Sequence, residues 1–204
     1  MSFLVTSCFD WVGFHMVNQL LEKGHEVDGV DEETTDFKEH LSMFLGRNSA
    51  FRLKTRDELT SYDTAIVIGE DPCTDVLKAR KMMNISCNKI QAKRKASMTT
   101  IHVPVLFGEW MPMNERGMYM GNQFISFDSA HFLSEAVYIK DFINGLFQWM
   151  QADDLPSSLE VKSKSSESRA VKLENTVYIR DNERTPDKLK KVLNHYRSYQ
   201  QFYA

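Results

Sequence analysis

The chain has 204 residues, 42% hydrophobic and 26% charged, with a net charge of −3. That length fits one domain with a small appendage, and that composition excludes bulk disorder. The weak negative charge gives no global attraction to nucleic acid or anionic lipid.

Apolar runs stay well short of the ~18 residues a membrane helix needs, so no span is expected. The opening lacks a basic segment followed by a long apolar one, so no secretory leader is expected either. Three cysteines, Cys8, Cys73 and Cys87, form no CxxC pair. Such sparse, unpaired cysteines fit a reducing cytoplasm and argue against a disulfide or zinc framework. None of the six histidines pairs with another at ligand spacing. No metal is therefore expected.

Ser2–Thr6 reads as a short buried strand. Asp10 stands as a possible N-cap, and Val12, Met16, Val17, Leu20 and Leu21 follow at helical spacing up to Gly24. Glu26–Val30 is a second strand, closed by Asp31. This strand–helix–strand run has the length of one βαβ unit with a right-handed crossover.

A weaker copy follows: a helix over Asp36–Leu45, then Phe51–Leu53 as a third strand. Thr64–Ile68 is apolar throughout, as buried parallel strands are. Asp75 to about Lys95 reads as a long basic helix and Thr100–Phe107 as one strand. The charges on that helix are spread and lack interleaved aromatics, which fits a solvated face and not a nucleic-acid surface. Residues 112–124 are Met-rich and polar, open to reading as a flexible loop over a ligand or as an interface patch.

Phe124–Phe127 is a short strand and Lys140–Met150 a helix. Asp153–Glu174 is expected to be a mobile loop, and Val177–Ile179 a late strand. Thr185-Pro186 supplies the N-cap and N1 of a final helix. Alternating strands and helices predict an α/β fold: a doubly wound, mostly parallel Rossmann-like sheet with a small C-terminal portion. The expected division is residues 1–150 and an extension of 151–204.

The run Phe3-Leu-Val-Thr-Ser-Cys-Phe-Asp-Trp-Val-Gly13-Phe-His, then Gly24-His-Glu-Val27 and Val30-Asp31, resembles the opening of extended short-chain dehydrogenases. These are NAD(P)-dependent nucleotide-sugar epimerases, dehydratases and reductases, which read strand, T-G-x-x-G-F-I-G, helix, G-H-x-V, strand, acid. Ile101–Glu109 resembles their R-x-P-V-x-F/Y-G-P block, with His102 in place of arginine. Val137–Asp141 resembles their V-h-V-x-D segment. The resemblance spans roughly residues 1–150.

It places the dinucleotide loop at Ser7, Asp10, Trp11, Val12 and Gly13, with Asp31 on the adenosine ribose and NAD as cofactor. Two of the loop's three glycines are replaced, by Ser7 and Asp10, and only the packing glycine Gly13 remains. Two roles stand open for Asp10: repelling a phosphate, or capping the helix in its place. Asp31 has two as well: holding the ribose, or turning the chain with Glu32 and Glu33.

The family's catalytic Tyr-x-x-x-Lys is absent from the chain. The best-placed remnant is Lys89, with Ile85 standing where the tyrosine belongs, and isoleucine transfers no proton. The spacing between Ile68 and Thr100 leaves room for one helix, which implies that the family's serine-bearing strand is deleted.

The resemblance therefore implies a degenerate, non-catalytic relative that binds a nucleotide, a nucleotide sugar or a protein partner, with a homodimer possible. The alternative is a working NAD enzyme with another proton donor, Tyr119 or Tyr138. Cys8 and Cys73, at neighbouring strand ends, read as incidental apolar residues or as a redox pair.

Overall fold

A computed structural model describes residues 1–70, 76–86, 98–152, 154–163, 175–179 and 184–203. The chain divides into two compact units, Met1–His102 and Val103–Ala204.

Unit 1 is built on β1 (Ser2–Thr6), β2 (Glu26–Val30), β3 (Phe51–Leu53), β4 (Ser61–Ile68), β5 (Lys78–Ser86) and β6 (Met98–His102). All pair in parallel, in the order β3-β2-β1-β4-β5-β6. The winding direction reverses between β1 and β4, which is the doubly wound Rossmann topology. The expected placing of Ser2–Thr6 between Glu26–Val30 and the Thr64–Ile68 strand is what the register shows.

Helix α1 (Trp11–Glu22) connects β1 to β2, and α2 (Asp36–Leu45) connects β2 to β3. Met16, Val17 and Leu20 on α1 are fully buried, as are Leu4 and Val5 on β1. Each such side chain contributes ~1.5–3 kcal/mol of burial, which is what fastens the helix to the sheet. Gly24, just past the Lys23 C-cap of α1, has a φ of +80°, which suits a glycine.

The main correction to the sequence reading is β5. Lys78–Ser86 is not part of a basic helix but a parallel strand between β4 and β6. Its apolar run Met82-Met83 and Ile85 is buried, while Lys78 and Arg80 lie towards solvent at its start. The charges gave the segment a helical look, and burial in the middle of a sheet overrode propensity. The strand that spacing counts as deleted is therefore present and ends on Ser86. The remainder of that expected helix, including Lys89, and Cys73 with it, lie outside the described residues.

Thr100–Phe107 is also two elements and not one. Strand β6 stops at His102, and Pro104, which cannot donate to a ladder, separates it from β7 (Leu106–Phe107).

In unit 2, β7 pairs in parallel with β11 (Val137–Tyr138). The Met-rich segment is a three-stranded antiparallel meander: β8 (Met113–Asn114), β9 (Gly117–Met120) and β10 (Gln123–Ser126). Helices α3 (Ala130–Glu135) and α4 (Ile139–Met150) follow. Part of the expected mobile loop is strand β12 (Ser158–Ser163), paired in parallel with β13 (Thr176–Ile179). Helix α5 (Thr185–Ser198) has Arg184 at its N-cap, one residue before the expected Thr185.

Candidate functional site

The loop from Ser7 to Gly13 leaves the end of β1 and enters α1. Ser7 stands in the left-handed region, at φ 49°, where the family's first glycine belongs. The tight turn is kept, at the strain a Cβ carries there.

Gly13 fits the packing role that the resemblance implies. A Cβ on it would lie 2.1 Å from the Ser7 carbonyl oxygen. Only glycine lets α1 come this close to the loop. Cys8 and Phe9 between them are fully buried, and burial pushes the Cys8 thiol well up, with Asp31 adding to the effect. Cys8 is thus a buried packing residue whose thiolate form its surroundings disfavour.

Asp10 sits at the N-cap of α1, but its side chain makes no capping hydrogen bond. The expectation that it caps the helix is corrected: its carboxylate pairs instead with Lys38, Nζ to Oδ1 at 3.1 Å. Sequence reading misses Lys38 altogether. The signal available is position: Lys38 is in the first turn of α2, two turns' length past the β2 end that carries Asp31.

Lys38 also reaches Asp31, Nζ to Oδ1 at 2.8 Å. Asp31 is otherwise committed to the backbone. Its Oδ2 accepts the Phe9 N–H at 2.8 Å, and its Oδ1 accepts the Glu32 N–H at 2.8 Å. Asp31 thus ties the start of its own turn, at Glu32, to the loop backbone at Phe9.

Burial lowers the Lys38 pKa, but the Asp31 hydrogen bond and the Asp10 charge outweigh it and the net shift is upward. The ammonium is therefore held between the two carboxylates that flank the dinucleotide loop. Asp10 is half-exposed, at 48%, whereas Asp31 is 8% exposed.

In a dinucleotide fold, the second loop glycine leaves space for pyrophosphate and the acid after β2 takes the ribose hydroxyls. Here the first place holds a carboxylate, and the second acid already has three hydrogen-bond donors. As they stand, these residues do not fit a bound NAD. Trp11 and Val12 follow Asp10 in the first turn of α1, where backbone N–H groups lack intrahelical acceptors.

Of the two alternative proton donors, Tyr138 is buried and its hydroxyl donates to the Glu109 carboxylate at 2.9 Å. Tyr119 lies on the meander, 43% exposed, and its hydroxyl accepts from Asn114 at 3.1 Å. Neither is set beside a lysine in the family's helical spacing. Among the described residues, no group of acids, histidines and cysteines could hold a metal ion. Among them, too, no helix is long and apolar enough to cross a membrane.

No family model matches the sequence, and no curated protein matches it. Solved structures do match its fold. The UDP-glucose 4-epimerase of Thermotoga maritima, solved with UDP-glucose, aligns over 98% of this chain and 100% of its own, at a TM-score of 0.57 and 12% identity. A dTDP-glucose 4,6-dehydratase of Bacillus anthracis in complex with NAD aligns over 99% and 98%, at 0.59 and 8% identity. The UDP-glucuronic acid 4-epimerase of Bacillus cereus, also with NAD, aligns over 80% and 78%, at 0.53 and 12%. The fold of this chain is that of the extended short-chain dehydrogenases, the fold on which these nucleotide-sugar epimerases and dehydratases are built.

Proposed function

We propose that this chain is a non-catalytic relative of the nucleotide-sugar epimerases and dehydratases, and that it works by binding a ligand or partner without hydride transfer. The observation that carries the reading is Lys38, held at 3.1 Å from Asp10 and 2.8 Å from Asp31. Its ammonium bridges the two acids where a dinucleotide would need an open loop and a free carboxylate.

The missing tyrosine supports the same reading, since a proton must be given and taken at the substrate for epimerisation or dehydration. Nucleotide sugars are the ligand class most in keeping with the neighbours' fold, and a cytoplasmic setting suits the sparse cysteines. Self-association is a further expectation of the reading.

Calorimetric titration of NAD tests it. Wild-type protein is expected to give weak heat or none. The double change Ser7→Gly/Asp10→Gly removes the carboxylate, relaxes the turn and leaves Lys38 near the loop with one acid fewer to hold it. It should strengthen NAD binding. The gain is ~1 kcal/mol at water-like screening and up to ~4 kcal/mol at an effective dielectric of 20. With Asp10 half-exposed the lower figure governs, about a fivefold to tenfold change, largest at low ionic strength. Tight NAD binding by the wild type would overturn the reading and favour a working enzyme.

A further inference from the structure

Strand β5 lies between β4 and β6, where parallel strands are ordinarily apolar on both faces. It nevertheless opens Lys78-Ala-Arg-Lys81. Side chains alternate along a strand, so Lys78 and Arg80 share a face, their Cα atoms about 6.6 Å apart. Both are exposed. Neither takes part in an ion pair among the described residues.

The two cations stand on a cleft of about 590 Å³, within the size range of small-molecule sites. Ser2, Ser61 and Asp63 line it with them, and the buried Leu77 and Met82 add apolar surface. Ser2, Ser61 and Lys78 are the first residues of β1, β4 and β5, so the cleft lies at the amino ends of these strands. The Ser7–Gly13 loop leaves the opposite end of β1, about 16 Å away along a strand of 5 residues. The cleft is thus separate from that loop and from the carboxyl edge, where open α/β sheets ordinarily bind ligands.

The register orders the charges. Ser61 pairs with Lys78 and Thr64 with Lys81, so Asp63 falls level with Arg80. The Asp63 carboxylate is fixed through one oxygen: Oδ2 accepts the Ser2 N–H at 2.8 Å and the Ser2 hydroxyl at 3.3 Å. The Ser2 N–H, with the Arg80 charge among those that help, holds the Asp63 carboxyl below its ordinary range, so it is ionised at neutral pH. Its Oδ1 accepts no hydrogen bond from the described residues.

The cleft therefore offers two cations and one carboxylate with an open acceptor. A phosphate or a plain dicarboxylate satisfies the cations but meets repulsion from Asp63. A lone carboxylate leaves one cation unmatched. Two carboxylates and one ammonium match all three charges. The Arg80 fork takes one carboxylate in two hydrogen bonds, Lys78 takes the other as a point charge, and Asp63 Oδ1 accepts from the ammonium.

We infer that this cleft at the amino ends of β1, β4 and β5 binds a small amino dicarboxylate, the chemical class of the acidic amino acids. The site is independent of the reading of the Ser7–Gly13 loop and stands whether or not that loop takes NAD.

The test is an NMR titration of isotopically labelled full-length protein, read on the backbone amides of Ser61, Asp63, Lys78 and Arg80. The arms are glutamate, glutarate (which lacks the ammonium), inorganic phosphate, and sodium chloride at matched ionic strength. Glutamate should give saturable shifts, with glutarate and phosphate about tenfold weaker and sodium chloride giving none that saturate. Lys78→Gln and Arg80→Gln should each weaken glutamate about tenfold. Asp63→Asn keeps an oxygen for the Ser2 N–H but not the charge, so glutamate should lose its advantage over glutarate. Should that variant not fold, the wild-type ratio of glutamate to glutarate decides. Glutarate or phosphate binding as tightly as glutamate to the wild type would overturn the inference. So would shifts that sodium chloride reproduces, or a glutamate response that survives both cation changes.

Discussion

The two halves of the unit 1 sheet, meeting between β1 and β4, are joined by connections of different length. On one side, α1 and α2 carry the chain from strand to strand. On the other, only residues 69–77 separate β4 from β5, and residues 87–97 separate β5 from β6. The first of these is shorter than the dozen or so residues a parallel crossover ordinarily takes. The sheet keeps its order while its connections differ. Strand pairing and apolar burial hold the sheet across connections of different length.

Glycine shows the same contrast, and it provides the largest expected effect. In the half that holds α1 and α2, Gly13 is required for space: a Cβ would meet the Ser7 carbonyl oxygen at 2.1 Å. Gly13→Ala must push α1 away from the Ser7–Cys8 backbone, and ~3 kcal/mol of stability should be lost. In the other half, Gly69 is required for conformation alone, with φ +70° and nothing within 4 Å of the place a Cβ would take. Gly69→Ala should cost only ~1 kcal/mol, the left-handed penalty less the entropy it removes from the unfolded chain. Chemical denaturation of both variants checks the pair. Equal losses would mean that the two halves share one kind of constraint after all.

The contrast also explains what is legible in the sequence. The opening βαβ unit is readable because its signals are local. Val12, Met16, Val17 and Leu20 repeat at helical spacing, and Gly24 and Asp31 punctuate the ends. Gly13 is readable for the same reason. The β5 strand is not, because Lys78-Ala-Arg-Lys81 carries weak strand propensity and its placement is set by β4 and β6 on either side. The candidate site is half legible. Asp10 and Asp31 stand at motif positions, but no motif position marks Lys38, and the pairing that joins all three depends on the tertiary approach of α2 to the loop.

Lys38 gives the next effect in size. Lys38→Met removes the cation from two acids, one of them 8% exposed, and should cost ~1 kcal/mol, reduced by solvent around Asp10. The sign of the pH dependence follows from the raised pKa of Lys38, whose ordinary value is 10.5. Its contribution should be fully present below that value and be lost as pH rises through the higher folded value. Melting curves of wild type and Lys38→Met should therefore differ at pH 7 and converge only in strong alkali. Convergence near neutral pH would show that the bridge is not what holds the loop.

Ser7→Gly should give the smallest change in stability, and it sharpens the comparison by separating fold from site. At φ 49°, serine carries a left-handed penalty of ~1–2 kcal/mol that glycine does not. Glycine in turn gives the unfolded chain more freedom, worth ~0.4–1 kcal/mol in the other direction. The two nearly cancel, so the melting temperature should move little, and upward if at all. The loop should nevertheless take NAD no better, because Asp10 and the Lys38 bridge are untouched by this change. A clear gain in NAD affinity from Ser7→Gly alone would place the obstruction in the turn. It would then not lie in the ion bridge, and Lys38 would lose its role as the group that closes the loop.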